Sequence, residues 1–197
     1  EIGCCMALTE PDAGTNSLDV RSFAETDGNG WRLNGQKIFI SAVPQAQKML
    51  VIARTKKPED ALKKTDGITM FMIDVAREGV THNAIDKVGT RCVPASNVYF
   101  DNVPVHGDEL VGTLHGGWPE LLDVLNTERI VTTAGLVGTV ELALGLAVDY
   151  ANQRKVFGDR PISSYQGLQF PLAQAHAEIE CASAMNHKAA VLFDAGE

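Results

Sequence analysis

The sequence has few cysteines, and they follow no metal-binding pattern. Cys4, Cys5, Cys92 and Cys181 show no CxxC spacing, and none has a histidine at the interval typical of a zinc site. We therefore expect four reduced thiols, most of them buried. Neither a metal site nor a Cys–His nucleophile pair is indicated.

Positive charge is also scarce. The 197 residues include 17 Lys and Arg against 25 Asp and Glu, a formal net charge of −8. A nucleic acid or an anionic membrane rewards clustered basic residues, so neither is expected as the main partner. No stretch approaches the roughly 20 apolar residues of a membrane span, and the first residues lack the regions of a signal peptide. We expect a soluble intracellular protein and, since the chain starts at Glu1, a piece of a longer one.

Turn signals and short β-branched or aromatic runs alternate up to about residue 110. Strands are predicted at residues 49–54, 68–75 and 97–100, and a hairpin is predicted in which Asn34-Gly35 joins residues 31–33 to 36–41. Many short strands without intervening helices indicate an antiparallel sandwich or barrel.

The apolar period then changes to that of a helix. Residues 120–152 carry apolar side chains at helical intervals, and a second helix is predicted from Gln166 almost to the end of the chain, after a capping-box pattern at residues 163–166. The predicted fold class is therefore α+β with more than one domain: an antiparallel β-barrel or sandwich at residues 1–112, then a long antiparallel helical pair at residues 113–197.

The segment Leu8–Thr15 combines two hydroxyls, a proline and a glycine directly after an apolar run. Pro11 fixes its own φ and favours extended geometry at Glu10, while the next residues allow the chain to turn with backbone N–H groups pointing outward. Such a segment could hold a ligand. It could equally be an ordinary β-turn between strands.

Six motifs occur in order along the chain. They are TEPDAGT at residues 9–15, LNGQKIFIS at 33–41, KVGTR at 87–91, VYFDNVPV at 98–105, ER at 128–129 and RKVFG at 154–158, with Gln166 downstream. In order and spacing these strongly resemble the acyl-CoA dehydrogenases. The resemblance assigns residues 1–112 to the middle β-domain and residues 113–197 to the first part of the C-terminal helical domain. The family's N-terminal helical domain and last helices are missing.

The resemblance implies a flavin-dependent α,β-dehydrogenation of an acyl-CoA thioester. In this family a glutamate removes the α-proton, and the β-hydride passes to N5 of FAD. The cofactor performs the redox chemistry, and the protein binds and orients it and polarises the thioester carbonyl.

The resemblance also assigns cofactor-binding residues. It places Met6, Leu8 and Thr9 along the flavin, and it matches Phe39, Ile40 and Ser41 to a segment that is usually Trp-Ile-Thr. Ser41 keeps the hydroxyl, whereas Phe39 keeps a flat apolar face and loses the indole N–H. Without the motif, a core-facing aromatic would be the simpler interpretation of Phe39.

A second group of flavin contacts is implied across a subunit boundary. Arg154, Phe157 and Gln166 match positions that reach the FAD of a neighbouring subunit, with Arg154 near the pyrophosphate. Without the family context, Arg154 would be a surface charge after a helix. This match implies a homo-oligomer, a dimer or a tetramer.

The family supplies its general base from one of two positions. Most of the family takes its glutamate from the helical segment that this chain lacks, while a minority resembling isovaleryl-CoA dehydrogenase takes it from the position of Glu128. The other interpretation is a helix-surface carboxylate paired with Arg129 or a lysine. Substrate contacts are implied for Asn126 and Arg129, and for Gly14 and Thr15 along the CoA channel.

Two other functional classes remain open. A related flavoprotein, such as an acyl-CoA oxidase or a nitroalkane oxidase, would keep the flavin contacts and change the substrate or electron acceptor. The chain could also be an inactive fragment that binds flavin poorly. For a dehydrogenase, the implied electron acceptor is an electron-transfer flavoprotein, and the expected compartment is the cytoplasm in bacteria or the mitochondrial matrix in eukaryotes.

Overall fold

The computed structural model describes residues 2–196 and divides into two compact units. The first unit ends at Leu122, and the second begins at Asp123. A β-rich unit followed by long helices confirms the predicted α+β class.

The first unit is built on one sheet of eight strands. Their bounds are β1 Cys4–Ala7, β2 Phe23–Asp27, β3 Gly30–Ser41, β4 Lys48–Arg54, β5 Ile68–Asp74, β6 Val80–Ile85, β7 Ala95–Val105 and β8 Leu110–Val111. The strand order is β6-β7-β3-β2-β4-β5-β8, with β1 paired to β4. Buried apolar side chains from β1 to β5 and β7 form a single core cluster.

Most of the strand pairs are antiparallel, as predicted. Two are parallel: β1 runs alongside β4 over four residue pairs, and β2 meets β4 at Phe23 and Arg54. These pairs join strands that are distant in the sequence, and turn signals report only on strands that follow one another.

The predicted hairpin at Asn34-Gly35 is wrong. Strand β3 runs through both residues without turning, and the turn lies earlier, between β2 and β3, where Gly28 adopts a φ of 59°. Gly35 has a φ of 149° at a register shift, and a Cβ there would come within 2.3 Å of Ser22 Oγ. The glycine therefore serves a bulge and a close strand contact.

The second unit confirms the antiparallel helical pair. Helix α1 spans Trp118–Gln153 and so begins in the first unit, while α2 spans Gln166–Asp194. Asn186 near the end of α2 donates a hydrogen bond to the Ile130 carbonyl near the start of α1. The predicted capping box before α2 is not formed, because Tyr165 is the N-cap and no side chain caps the helix.

Helix α1 overturns one expectation from the sequence. It has 36 residues, and its most apolar 18-residue window has a mean hydropathy of 1.7, so by length and composition alone it could cross a membrane. The core helix of a soluble protein passes the same test, so this is weak evidence. Little of that window is buried within the described chain, which leaves much of its apolar surface without a partner.

The four cysteines are free, as expected, but most of them are not buried. Only Cys5 is buried, and burial raises the pKa of its thiol to about 11. Cys4, Cys92 and Cys181 are exposed. Among residues 2–196 no group of three or more His, Cys, Asp or Glu side chains could hold a metal ion.

Candidate functional site

A two-residue turn follows β1 in the segment that the sequence singled out. The backbone N–H groups of Glu10 and Ala13 each donate to the other residue's carbonyl oxygen, at 3.1 Å in both cases, and Pro11 and Asp12 occupy the turn. Gly14 and Thr15 come next and are exposed. The β-turn is therefore present, and its first residue, Glu10, forms an ion pair with a buried cation.

That charge belongs to Lys37 of β3, whose side chain is 0% exposed. Its ammonium donates to the carboxylate oxygen Oε1 of Glu10 at 2.8 Å, the Leu8 carbonyl at 3.0 Å and the Ile52 carbonyl at 2.6 Å. The Glu10 carboxylate also accepts hydrogen bonds from the backbone N–H groups of Arg21, at 2.6 Å, and Ser22, at 2.9 Å. The pair is thus enclosed and fully hydrogen-bonded.

Burial shifts the pKa of Lys37 and opposes the ionisation of Glu10. It lowers the pKa of Lys37 to about 8, against the opposing attraction of Glu10. It also works to raise the pKa of Glu10, but the charge and hydrogen bond of Lys37, with the Arg21 N–H, outweigh it and leave that pKa below its usual value. The carboxylate of Glu10 is therefore ionised at neutral pH.

The backbone of Leu8 and Thr9 is fixed by consecutive residues of β3. Lys37 Nζ binds the Leu8 carbonyl, and the Ile38 N–H donates to the Thr9 carbonyl at 2.8 Å. Because a trans peptide directs its C=O and N–H to opposite sides, the Thr9 N–H points away from the lysine. It donates no hydrogen bond within residues 2–196.

A bulge interrupts β3 directly after Lys37. The register against β7 shifts between Lys37 and Ile40, and Phe39 adopts a left-handed φ of 60°. Regular alternation would place residues 37 and 39 on one face. Instead the Phe39 side chain is 62% exposed while Ile40 is 3% exposed, so the core-facing interpretation of Phe39 is wrong.

Among the other predicted flavin residues of the first unit, Leu8 and Thr9 are hydrogen-bonded to the residues just before the bulge, and Ile40 and Ser41 follow it in sequence. Met6 lies in β1, paired with Leu50 of β4. Ser41 is exposed at the end of β3, and Met6, Leu8 and Thr9 are half-buried. The Ile40 side chain is part of the core cluster, so this residue offers a ligand only its backbone. The structure thus brings together Leu8, Thr9, Phe39 and Ser41.

The predicted catalytic and substrate residues of the second unit lie on one stretch of α1. The Arg129 guanidinium donates to the side-chain oxygen of Asn126 at 2.7 Å, so the arginine is engaged away from Glu128. Glu128 is exposed and forms no ion pair within the described residues. The structure therefore does not support the pairing of Glu128 with Arg129.

A short hairpin joins the two helices and carries the remaining predicted cofactor residues. Strands β9 (Lys155–Val156) and β10 (Arg160–Pro161) flank a turn in which Phe157 has a φ of 48° and is 94% exposed. Arg154 precedes this hairpin, and Gln166 begins α2; both are exposed. Phe157 and Phe39 are thus both exposed aromatic residues in left-handed conformation.

Lys37 lies in the motif LNGQKIFIS, but no role was predicted for it from the sequence. The signal that could have identified it is a lysine next to the apolar run Ile38–Ile40, where burial demands several hydrogen-bond acceptors. The three acceptors come from positions 8, 10 and 52, which only the folded sheet brings together.

The first unit therefore presents an exposed aromatic face beside a few fixed polar groups, an arrangement typical of a binding surface for a flat, largely apolar cofactor. The acyl-CoA dehydrogenase middle-domain family matches residues 5–103, and the C-terminal domain of the same enzymes matches residues 115–197. The chain belongs to the acyl-CoA dehydrogenase family.

Individual relatives agree with this assignment. The chain is 39% identical over 191 residues to the acyl-CoA dehydrogenase FadE12 of Mycobacterium tuberculosis, covering 97% of this chain and 48% of that protein. It is 33% identical over 190 residues to a glutaryl-CoA dehydrogenase of Desulfococcus multivorans, covering 96% and 48%. The structure of butyryl-CoA dehydrogenase from Megasphaera elsdenii superposes with a TM-score of 0.89 at 32% identity, covering 98% and 50%. The chain thus spans about half the length of these relatives.

Proposed function

We propose that the protein carrying this chain is a flavin-dependent dehydrogenase of acyl-CoA thioesters. The observation that supports this most is the bulge of β3, which exposes Phe39 at a left-handed φ next to the fixed Leu8–Thr9 backbone. An exposed aromatic in that conformation costs about 1 to 3 kcal/mol, and such strain is concentrated at functional sites.

The residues present fit FAD. The N–H and the hydroxyl of Thr9 form no hydrogen bond within residues 2–196, and neither does the hydroxyl of Ser41. These three groups are therefore available to bind the polar edge of a ring. The exposed ring of Phe39 offers a flat apolar face for stacking. When bound, FAD supplies the acceptor for the hydride from the substrate's β-carbon.

Glu128 is the proposed general base that removes the α-proton. The carboxylate is exposed and forms no ion pair within residues 2–196, as a base that must meet a substrate requires. A glutamate from the family's further helical segment is the alternative. Both assignments use a carboxylate and differ in which chain segment supplies it.

The CoA portion is assigned to four residues on the two units. Gly14 lies in open space, since a Cβ there would meet no atom within 4 Å, so the fold itself does not require glycine at this position. A channel that must admit a pantetheine chain does favour a small residue. Thr15 is exposed beside it, and Asn126 and Arg129 form a hydrogen-bonded pair of polar groups on α1.

We further propose a homo-oligomer, a dimer or tetramer, in which Arg154, Phe157 and Gln166 contact the FAD of a neighbouring subunit. The almost fully exposed Phe157 supports this, because it is held at a left-handed φ, and such backbone strain is concentrated at functional sites. An electron-transfer flavoprotein is the proposed acceptor, in the bacterial cytoplasm or the mitochondrial matrix.

Conversion of a saturated acyl-CoA to its 2-enoyl product, followed by mass spectrometry, tests the proposal. We expect a product lacking two hydrogens when a dye or an electron-transfer flavoprotein accepts the electrons, and little turnover in air alone. Rapid turnover in air without such an acceptor would indicate an oxidase. A colourless protein without flavin would indicate an inactive fragment.

A further inference from the structure

The ammonium of Lys37 has no capacity left for a ligand. An ammonium group carries three donors, and Leu8, Glu10 and Ile52 accept all three. The side chain is also completely buried. Lys37 therefore cannot touch substrate or cofactor, and any effect on function must pass through the groups that it holds.

Those groups lie at the edge of the candidate flavin surface, which is formed by Leu8, Thr9, Phe39 and Ser41. Lys37 fixes the Leu8 carbonyl, and the next residue of β3 fixes the Thr9 carbonyl. The residue after that is the bulged Phe39. One short piece of β3 thus sets both the Leu8–Thr9 backbone and the aromatic ring.

Glu10 fixes the position of the lysine. Its carboxylate is anchored by the Arg21 and Ser22 N–H groups, at 2.6 and 2.9 Å, which belong to the segment leading into β2. Glu10 is thereby held to the segment before β2. Lys37 of β3 also binds the Ile52 carbonyl of β4, so the ion pair links Glu10 to both strands. Removing the ammonium would take a donor from two carbonyls and leave the buried Glu10 carboxylate without an opposite charge, held only by the Arg21 and Ser22 N–H groups.

We propose that Lys37 and Glu10 are positioning residues for the flavin: together they hold the Leu8–Thr9 peptides against the β3 bulge, so that the Thr9 N–H and hydroxyl line up with Phe39 and Ser41. This inference rests on the proposed function. It assigns a role to two buried charged side chains that contact neither cofactor nor substrate.

A matched control exists in the same sheet. Arg54 of β4 is also a buried cation, and its guanidinium donates to the carbonyls of Leu18, Val20, Lys64 and Asp66, at 2.6 to 3.1 Å. Its side chain forms no hydrogen bond with Leu8 or Thr9 within residues 2–196. Replacing either cation by methionine removes a buried charge and its hydrogen bonds, but only Lys37→Met releases the Leu8–Thr9 backbone.

The experiment compares Lys37→Met and Arg54→Met in the full-length protein. Amide hydrogen exchange of the flavin-free form reports on the backbone, and FAD affinity with the visible flavin spectrum reports on the site. We expect both variants to unfold at lower urea. Lys37→Met should accelerate exchange at residues 8–15, weaken FAD binding by roughly tenfold or more and shift the flavin spectrum. Arg54→Met should accelerate exchange near residues 18–20 and 64–66 and leave the flavin spectrum unchanged.

Equal FAD affinities and spectra for the two variants would overturn the proposal, since Lys37 would then be a structural residue only. Unchanged exchange at residues 8–15 in Lys37→Met would overturn it as well. If the unmodified protein binds no FAD, the proposed function fails instead. The exchange experiment then still decides whether Lys37 holds the Leu8–Thr9 backbone.

Discussion

Lys37 Nζ lies 2.8 Å from Glu10 Oε1, with both side chains almost completely buried. Such a pair is not in itself a source of stability, because desolvation of the two charges offsets much of their attraction. Breaking it, however, leaves one buried charge without a partner. The consequences for stability can be predicted from this asymmetry.

Lys37→Met should lower the free energy of unfolding by about 3 to 5 kcal/mol, since it strands the Glu10 carboxylate. The double variant Lys37→Met/Glu10→Gln should be more stable than Lys37→Met alone, because the second change removes the stranded charge. Urea unfolding measures both. A double variant less stable than the single one would contradict this account of the pair.

Acid should weaken the Glu10 contribution in a defined direction. The folded-state pKa of Glu10 lies below the ordinary glutamate value of 4.5, so the ionised form of Glu10 stabilises the fold fully above about pH 4.5. This contribution is lost as the pH falls through the folded-state pKa. The stability difference between the parent and Glu10→Gln should therefore shrink below pH 4.5. Glu25→Gln, at an exposed carboxylate of β2, is the control and should show a small difference throughout.

Phe39→Gly should separate stability from flavin binding. Glycine relieves the left-handed strain but makes the unfolded chain more flexible, so the unfolding free energy of the flavin-free protein should change by less than about 1 kcal/mol. FAD affinity should fall, because the stacking face is lost. Ile40→Ala is the contrasting variant: loss of its buried side chain should lower the free energy of unfolding by about 2 to 5 kcal/mol. A Phe39→Gly variant that unfolds as readily as Ile40→Ala would identify Phe39 as a packing residue.

Glu128→Gln should abolish flavin reduction by acyl-CoA while leaving FAD bound. The matched control is Asp123→Asn, an exposed carboxylate on the same helix that carries no proposed role. The flavin of Asp123→Asn should be reduced by acyl-CoA at the parent rate. Normal reduction in Glu128→Gln would assign the base to a glutamate outside residues 1–197.

The sequence predicted the elements that depend on local pattern and missed those that depend on distant pairing. Helical periodicity gave both helices almost to their ends, and the turn at Pro11-Asp12 followed from residue type. The Asn34-Gly35 hairpin failed because the glycine is used for a close approach to Ser22, which directly precedes β2. Local preference could not reveal that contact.

In the candidate site too, some residues were predicted from the sequence and others became evident only in the folded structure. Phe39 and Ser41 were placed by resemblance, but only the structure shows the bulge that exposes the aromatic ring. The role of Lys37 depends on acceptors in two segments that are distant from it in the sequence, Leu8–Glu10 and strand β4, so no local pattern could indicate it. Burial of the Ile40 side chain was likewise decided by the bulge.

Anaerobic titration of the purified full-length protein with acyl-CoA, followed by visible absorbance, tests the central claim most directly. The account predicts a flavin spectrum that loses its absorbance as acyl-CoA is added, and regains it when an electron-transfer flavoprotein is supplied. A protein that binds flavin but keeps its full absorbance across a panel of short, long and branched acyl-CoA thioesters would contradict it.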